Sequence, residues 1–138
     1  MLAAFCLAAV FAFVAFAVDS ERIVVARSEM QNAVDAAALA ASQEITGAIF
    51  EAGQERSSAN VDANSIAVEN ARDMAFRVAE ANGVHIDKNQ DVIFGKRRYD
   101  AETDTWPITW NQGPYNVVKV VARRDNQDLS APDGRLKL

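Results

Sequence analysis

Hydrophobic and polar positions divide the chain into three regimes. Met1–Val18 holds no charged side chain, and Cys6 is the most polar group in it. From Asp19 to Phe50 the apolar positions Ile23, Met30, Val34, Ala37, Ala41, Ile45 and Ala48 recur at helical spacing. They form one stripe, with Glu21, Arg22, Ser28, Glu29, Asn32, Asp35, Ser42 and Gln43 mainly on the other side. No Gly precedes Gly47 and no Pro precedes Pro107, so neither common helix breaker interrupts this half of the chain. The pattern predicts one helix over residues 1–50, about 75 Å long, ending in the region of Gly47 and Gly53. Such a rod cannot bury itself in 138 residues. Part of it must pack outside the head.

The third regime, residues 51–138, reads as an α+β head. Glu51–Asn60 is polar and aperiodic and predicts a loop. Ile66, Ala67, Ala71, Met74, Ala75, Val78 and Ala79 make a second amphipathic helix over about Asp62–Ala81, stopped by Asn82-Gly83. The period then shifts to two. Strands are predicted over Asp91–Tyr99, Thr105–Trp110 and Asn116–Arg124, with turns at Asp100–Asp104 and Asn111–Pro114. Val92 and Phe94 should share one face, with Ile93 on the other. Pro107 places the middle strand at an edge or a bulge. The tail from Asp125 to Leu138, with Pro132 and Gly134, is irregular. The fold expected is α+β: a long helix, a second helix and a small three-stranded antiparallel sheet. The expected head core is Val34, Ala37, Ala41, Ile45, Met74, Val78, Val118, Val120 and Ala122, the stripe of the long helix lying on the apolar face of the last strand.

At 1.5 Å per residue the 18 residues of the stem span about 27 Å, the thickness of a bilayer's hydrocarbon core. Three readings fit it. One is a secretory signal peptide, with Ala15-Phe16-Ala17 as a cleavage pattern, although no basic residue precedes the apolar run. Another is a plain membrane anchor. The third is a processed chain whose basic leader has been removed, with Met1 as the mature terminus. Within the stem, small residues alternate with large aromatic ones, which lets neighbouring helices approach closely. The residues expected to make those contacts are Ala4, Phe5, Ala8, Phe11, Ala12, Ala15 and Phe16. A lipid-facing span with alanine as filler is the alternative.

Composition removes most chemistry. A single cysteine allows no intrachain disulfide, and Phe5 before Cys6 does not suit lipid attachment. The net charge of −5 lies wholly beyond residue 18 and disfavours nucleic acid as a partner. The one histidine, His85, reads as a solvated loop residue. Asp87, Asn89 and Asp91 imitate the start of a calcium loop, but Val92 stands where such a loop needs Gly. Lys96-Arg97-Arg98 and Arg123-Arg124 form at most a basic patch, and strand alternation turns Arg97 away from its two neighbours. No catalytic residue, metal, cofactor or small-molecule substrate is expected, and no enzyme.

Val18-Asp19-Ser-Glu-Arg22, Val25-Ala26-Arg27-Ser-Glu-Met30 and Gln31-Asn32-Ala33-Val34-Asp35-Ala-Ala-Ala-Leu-Ala-Ala41 resemble the N-terminal region of the TadE/TadG-like proteins of Flp/Tad-type pilus machinery. There an apolar helix ends in Asp and a Q-N-A-x-D-A-A-A-L-A-A run follows. Asp91–Gly95 and Pro114–Arg123 are similar to that family's strand pattern, extending the likeness to about residue 124. The resemblance implies a bacterial envelope protein, pilin-like in design, in the inner membrane before assembly and at the cell surface afterwards. Its implied partners are other copies of itself, other pilus-machinery proteins, and the membrane before assembly. The resemblance also admits a membrane-anchored assembly factor. Pilins proper carry Glu at the fifth mature position, where this chain has Phe5.

Overall fold

The computed structural model describes residues 2–54 and 63–135; the side chains of residues 49, 51–54 and 63–66, Ile66 among them, are outside the description. Helix α1 runs unbroken over Leu2–Gln54 and α2 over Ala63–Ala81; β1 is Val92–Arg97, β2 Ile108–Trp110 and β3 Val117–Val120. The three strands form one antiparallel sheet in the order β2-β1-β3. The molecule is thus α+β: a long apolar helix, a second helix and a small sheet.

Helix α1 passes through Gly47 without a break. Glycine in a helix costs about 1 kcal/mol relative to alanine. That penalty is small beside the burial of the residues just before it, and Gly47 itself is exposed. Four residues of the expected loop, 51–54, therefore continue the helix; the remaining ones lie outside the described residues. Helix α2 stops as its sequence predicts. Gly83 adopts φ 73°, its N–H donates to the Glu80 carbonyl (2.9 Å), and the Val84 N–H donates to the Ala79 carbonyl (3.0 Å). This is the Schellman arrangement, and it drops Val84 into the core.

The core is built on alanine. Ala33, Ala37, Ala41 and Ile45 on α1 are buried, as are Ala67, Ala71, Ala75 and Ala79 on α2. Each set repeats every fourth residue, so each helix presents a single i, i+4 ridge. Phe94, Ile86 and Val92 supply the bulk from the sheet side. The α1 stripe was expected to lie on β3. It meets α2 far more extensively than β3, where two facing rows of alanine let the helices approach closely along their length. Val118, Val120 and Ala122 pack against this core but are only half-buried. Val34 and Ala48 are half-buried too, one helical step off the ridge that Ala33 begins. Val78 packs on the shoulder of the core, while Met74 is half-buried outside it.

The strands are shorter than the period-two pattern predicts. Val92↔Val120 and Phe94↔Val118 pair β1 with β3, and Gly95↔Trp110 pairs β1 with β2. Pro107 has no N–H to give the ladder, so β2 begins only at Ile108 and Thr105 makes an isolated bridge to Asp100. β3 starts one residue later than the pattern predicts, although the Asn116 N–H still donates to the Gly95 carbonyl (3.0 Å) and its side chain extends the pairing to Arg97. Its Oδ1 accepts the Arg97 N–H (2.7 Å) and its Nδ2 donates to the Arg97 carbonyl (2.9 Å).

Candidate assembly surface

The first turns of α1 have nothing to pack on. Its 18-residue apolar window has a mean hydropathy of 2.4 and no buried residue. Leu2, Leu7, Val10, Phe13 and Val14 are exposed, and so are the expected contact residues Ala4, Phe5, Ala8, Phe11, Ala12, Ala15 and Phe16. Phe5 and Phe13 each keep about three-quarters of their surface (75% and 76%). Cys6 is exposed among them. Helix geometry alone brings the small and large residues of the stem onto one cylinder. A single copy of the chain leaves that cylinder uncovered.

The magnitude matters. Fully burying one Phe, Leu or Val side chain is worth about 1.5–3 kcal/mol. Eight such exposed side chains between Leu2 and Phe16 amount to about 12–24 kcal/mol, at least as large as the typical free energy that holds a domain folded, about 5–15 kcal/mol. Monomeric soluble proteins rarely expose so large an apolar patch. The helix is long and apolar enough to cross a membrane.

The exposure does not end at Asp19. Ile23, Val24 and Val25 remain exposed. Ile23, Met30 and Val34 line a groove of about 380 Å³ against Val120, Val121 and Ala122, edged by Arg27 and Arg124. Helix and strand diverge here: α1 continues straight into the stem while β3 ends at Val120.

The polar residues singled out in the sequence serve as structural fasteners. Asp87 Oδ1 accepts the N–H groups of Asn89 (2.8 Å) and Gln90 (3.1 Å), and Asp91 Oδ2 accepts that of Asp87 (2.9 Å). The carboxylates that imitate a calcium loop thus tie down the turn into β1. Among the described residues, no three His, Cys, Asp or Glu side chains converge as metal ligands. Of the basic patch, Arg123 lies against Asp91, while Arg97 stands over the Trp106 ring, 5.7 Å from its centroid. His85 is exposed and meets Phe76 edge to face at 6.4 Å.

One ion-pair cluster ties α2 to the following turn. Lys88 Nζ reaches Asp73 at 2.8 Å and Glu69 at 3.3 Å. The hydrogen bond from Lys88 holds the Asp73 carboxyl below the usual carboxylate range, and Asp73, then Glu69, raise the Lys88 ammonium. The residue pattern misses this cluster, because nothing in the spacing of Glu69, Asp73 and Lys88 shows that the turn folds back along α2.

Comparison with characterised proteins and with solved structures gives no match. The strand pattern beyond residue 52 accordingly gains no support from a relative. Residues 1–52, which are the stem and nearly all the rest of α1, match the family model described as "Putative Flp pilus-assembly TadE/G-like".

Proposed function

We propose that this chain is a pilin-like structural subunit of a bacterial surface filament, polymerising through its apolar N-terminal helix. The observation that carries this reading is the continuity of α1. One helix holds no buried residue over Leu2–Val18 and supplies the head's buried ridge over Ala33–Ile45. A head built on the rod itself cannot swing independently of the stem, so stem packing fixes head positions. Before assembly the stem rests in the inner membrane; afterwards it is buried among other stems, with Ala4, Phe5, Ala8, Phe11, Ala12, Ala15 and Phe16 in helix contacts. The head faces outward, and the chain has a structural role rather than an enzymatic one.

A second reading, a pilus assembly factor that stays in the inner membrane, draws on two facts. The family description speaks of pilus assembly, and the stem contains no carboxylate to pair with a neighbour's terminal amine. Stem substitutions separate the two. Ala8→Leu or Ala12→Leu overpacks a close helix contact, at about 1–3 kcal/mol per site, repeated at every subunit. Both variants should insert in the membrane normally yet yield few sheared filaments, while Gln127→Ala in the exposed tail assembles as usual. Normal filaments from both stem variants would make those alanines lipid-facing filler and defeat the packing model.

A further inference from the structure

Asn82-Gly83, which closes α2, is the one Asn-Gly pair of the chain. Asparagine before glycine is open to a reaction with its own backbone. The glycine nitrogen gives up its proton and attacks the asparagine Cγ, closing a five-membered imide, and the side-chain nitrogen leaves as ammonia. Water then opens the imide at either carbonyl. The product is aspartate or, with the main chain rerouted through the side chain, isoaspartate. Glycine favours the attack because no Cβ crowds its nitrogen and its backbone turns freely. Asn82 and Gly83 are both exposed, so water and hydroxide reach them.

The fold ties down both reacting groups. The Gly83 N–H donates to the Glu80 carbonyl at 2.9 Å, so loss of its proton breaks a bond of the cap. Asn82 Nδ2 donates to the Val78 carbonyl at 2.7 Å, which tethers the side-chain amide one turn back along α2. Gly83 is held at φ 73°. Val84 anchors the cap: its N–H donates to the Ala79 carbonyl at 3.0 Å and its side chain is 7% exposed. Closing the imide needs Asn82 and Gly83 to rotate, and three hydrogen bonds and a buried side chain oppose that.

The products cannot rebuild this cap. In aspartate a carboxylate oxygen replaces the donor and faces the Val78 carbonyl oxygen. A negative charge is also added at the C-terminus of α2, where the helix dipole disfavours it. In isoaspartate an extra main-chain methylene displaces the N–H groups of Gly83 and Val84 as well. Ends of elements open at lower free energy than the core, so the cap is where this exposure begins. We infer that Asn82 is a latent deamidation site, silent while the cap of α2 is closed and reactive when it opens. Each opening that reacts is recorded as a covalent change, and the native cap does not form again.

The test incubates the full chain in detergent at mildly alkaline pH, folded and in urea. Residue 82 is read by mass in the tryptic peptide Val78–Lys88 against a zero-time sample, with aspartate and isoaspartate separated by chromatography. Conversion should be at least about tenfold slower in the folded chain than in urea. Val84→Ala loosens the anchor of the cap, so it should speed conversion severalfold in the folded chain and leave the urea rate unchanged. Graded urea below the unfolding midpoint reads the same opening without a substitution, and conversion should climb with it. Asn82→Asp, the product made by substitution, should melt below the parent chain. A folded rate equal to the urea rate, or one that neither Val84→Ala nor graded urea raises, overturns the protected site. An Asn82→Asp chain that melts like the parent overturns the loss of the cap.

Discussion

Arg123 Nη2 lies 2.8 Å from Asp91 Oδ1, across the junction where β3 leaves the sheet and β1 enters it. Asp91 is nearly buried, with 10% of its side chain accessible, whereas Arg123 keeps 48%. The other Asp91 oxygen accepts the Asp87 N–H, and the Val121 N–H donates to the Asp91 carbonyl. One residue therefore fastens the turn, the strand pair and the base of the head.

This asymmetry predicts unequal losses. Asp91→Ala strands a backbone donor and leaves Arg123 unpaired, which should cost about 1–3 kcal/mol. Arg123→Ala should cost less, because the Asp87 N–H keeps its acceptor and, at a site half open on the Arg123 side, water can replace the guanidinium at Asp91 Oδ1. Thermal melts of the full chain in detergent check the order. Equal losses would mean the ion pair, rather than the turn, matters most.

The head should also weaken in acid. Hydrogen bonding from Lys88 lowers Asp73; the Glu102 N–H and Thr103 hydroxyl lower Asp100; the Ser130 hydroxyl and N–H lower Asp128. A carboxyl lowered in the folded state adds stability above its unfolded pKa and loses it as pH falls through the folded value. The loss therefore falls below about pH 4, the usual aspartate range. Lys88 is raised, so its contribution persists at neutral pH and fades only above about pH 10. All these groups are solvent-accessible, so the effect is modest and sensitive to salt. A pH series of melts should show Asp73→Asn flattening the acid limb while leaving the pH 6–8 plateau nearly level.

Gly95 has a steric reason to be glycine. A Cβ would meet the Trp110 ring at 2.8 Å and the Thr109 carbonyl at 3.1 Å. Gly95→Ala should destabilise by about 1–3 kcal/mol and shift the tryptophan emission. In combination with Trp110→Ala the penalty should shrink, since the nearest obstruction is then gone. Additive losses would place the strain in the backbone instead.

The alanine ridges give the sharpest packing test. Ala37, Ala41, Ala71 and Ala75 are fully buried between α1 and α2, so Ala75→Leu has no room and should cost at least about 1–3 kcal/mol. Val34→Asp should be milder, because Val34 borders the open groove beside β3. A melt in which Val34→Asp is the worse of the two would return the core to the sheet face.

The elements were legible because each follows from local physics. Propensity and the lack of breakers give α1; Asn82-Gly83 gives the end of α2; alternation gives the sheet. What pattern could not give was which apolar face meets which. Alanine scores weakly as a hydrophobe, so the residue pattern draws the stripe through Met30, Val34 and Ala37, while closeness of approach selects the ridge through Ala33. Met74 and Val78 outrank alanine by size and were displaced by Ala71, Ala75 and Ala79 for the same reason. Arg97 with Trp106, and Phe76 with Ile86, lie nine and ten residues apart across a turn, outside any single helical or strand period, so only the fold brings them together. The stem is the opposite case, since its exposure follows from length and composition alone.

If the uncovered stem is a polymerisation surface, the chain must lie within filaments. Shearing cells and separating filaments from membranes, then locating this chain by immunogold microscopy, tests it most directly. Labelling along the length of sheared filaments is the predicted result. Recovery of the chain solely in the membrane fraction, with filaments unlabelled, would contradict it.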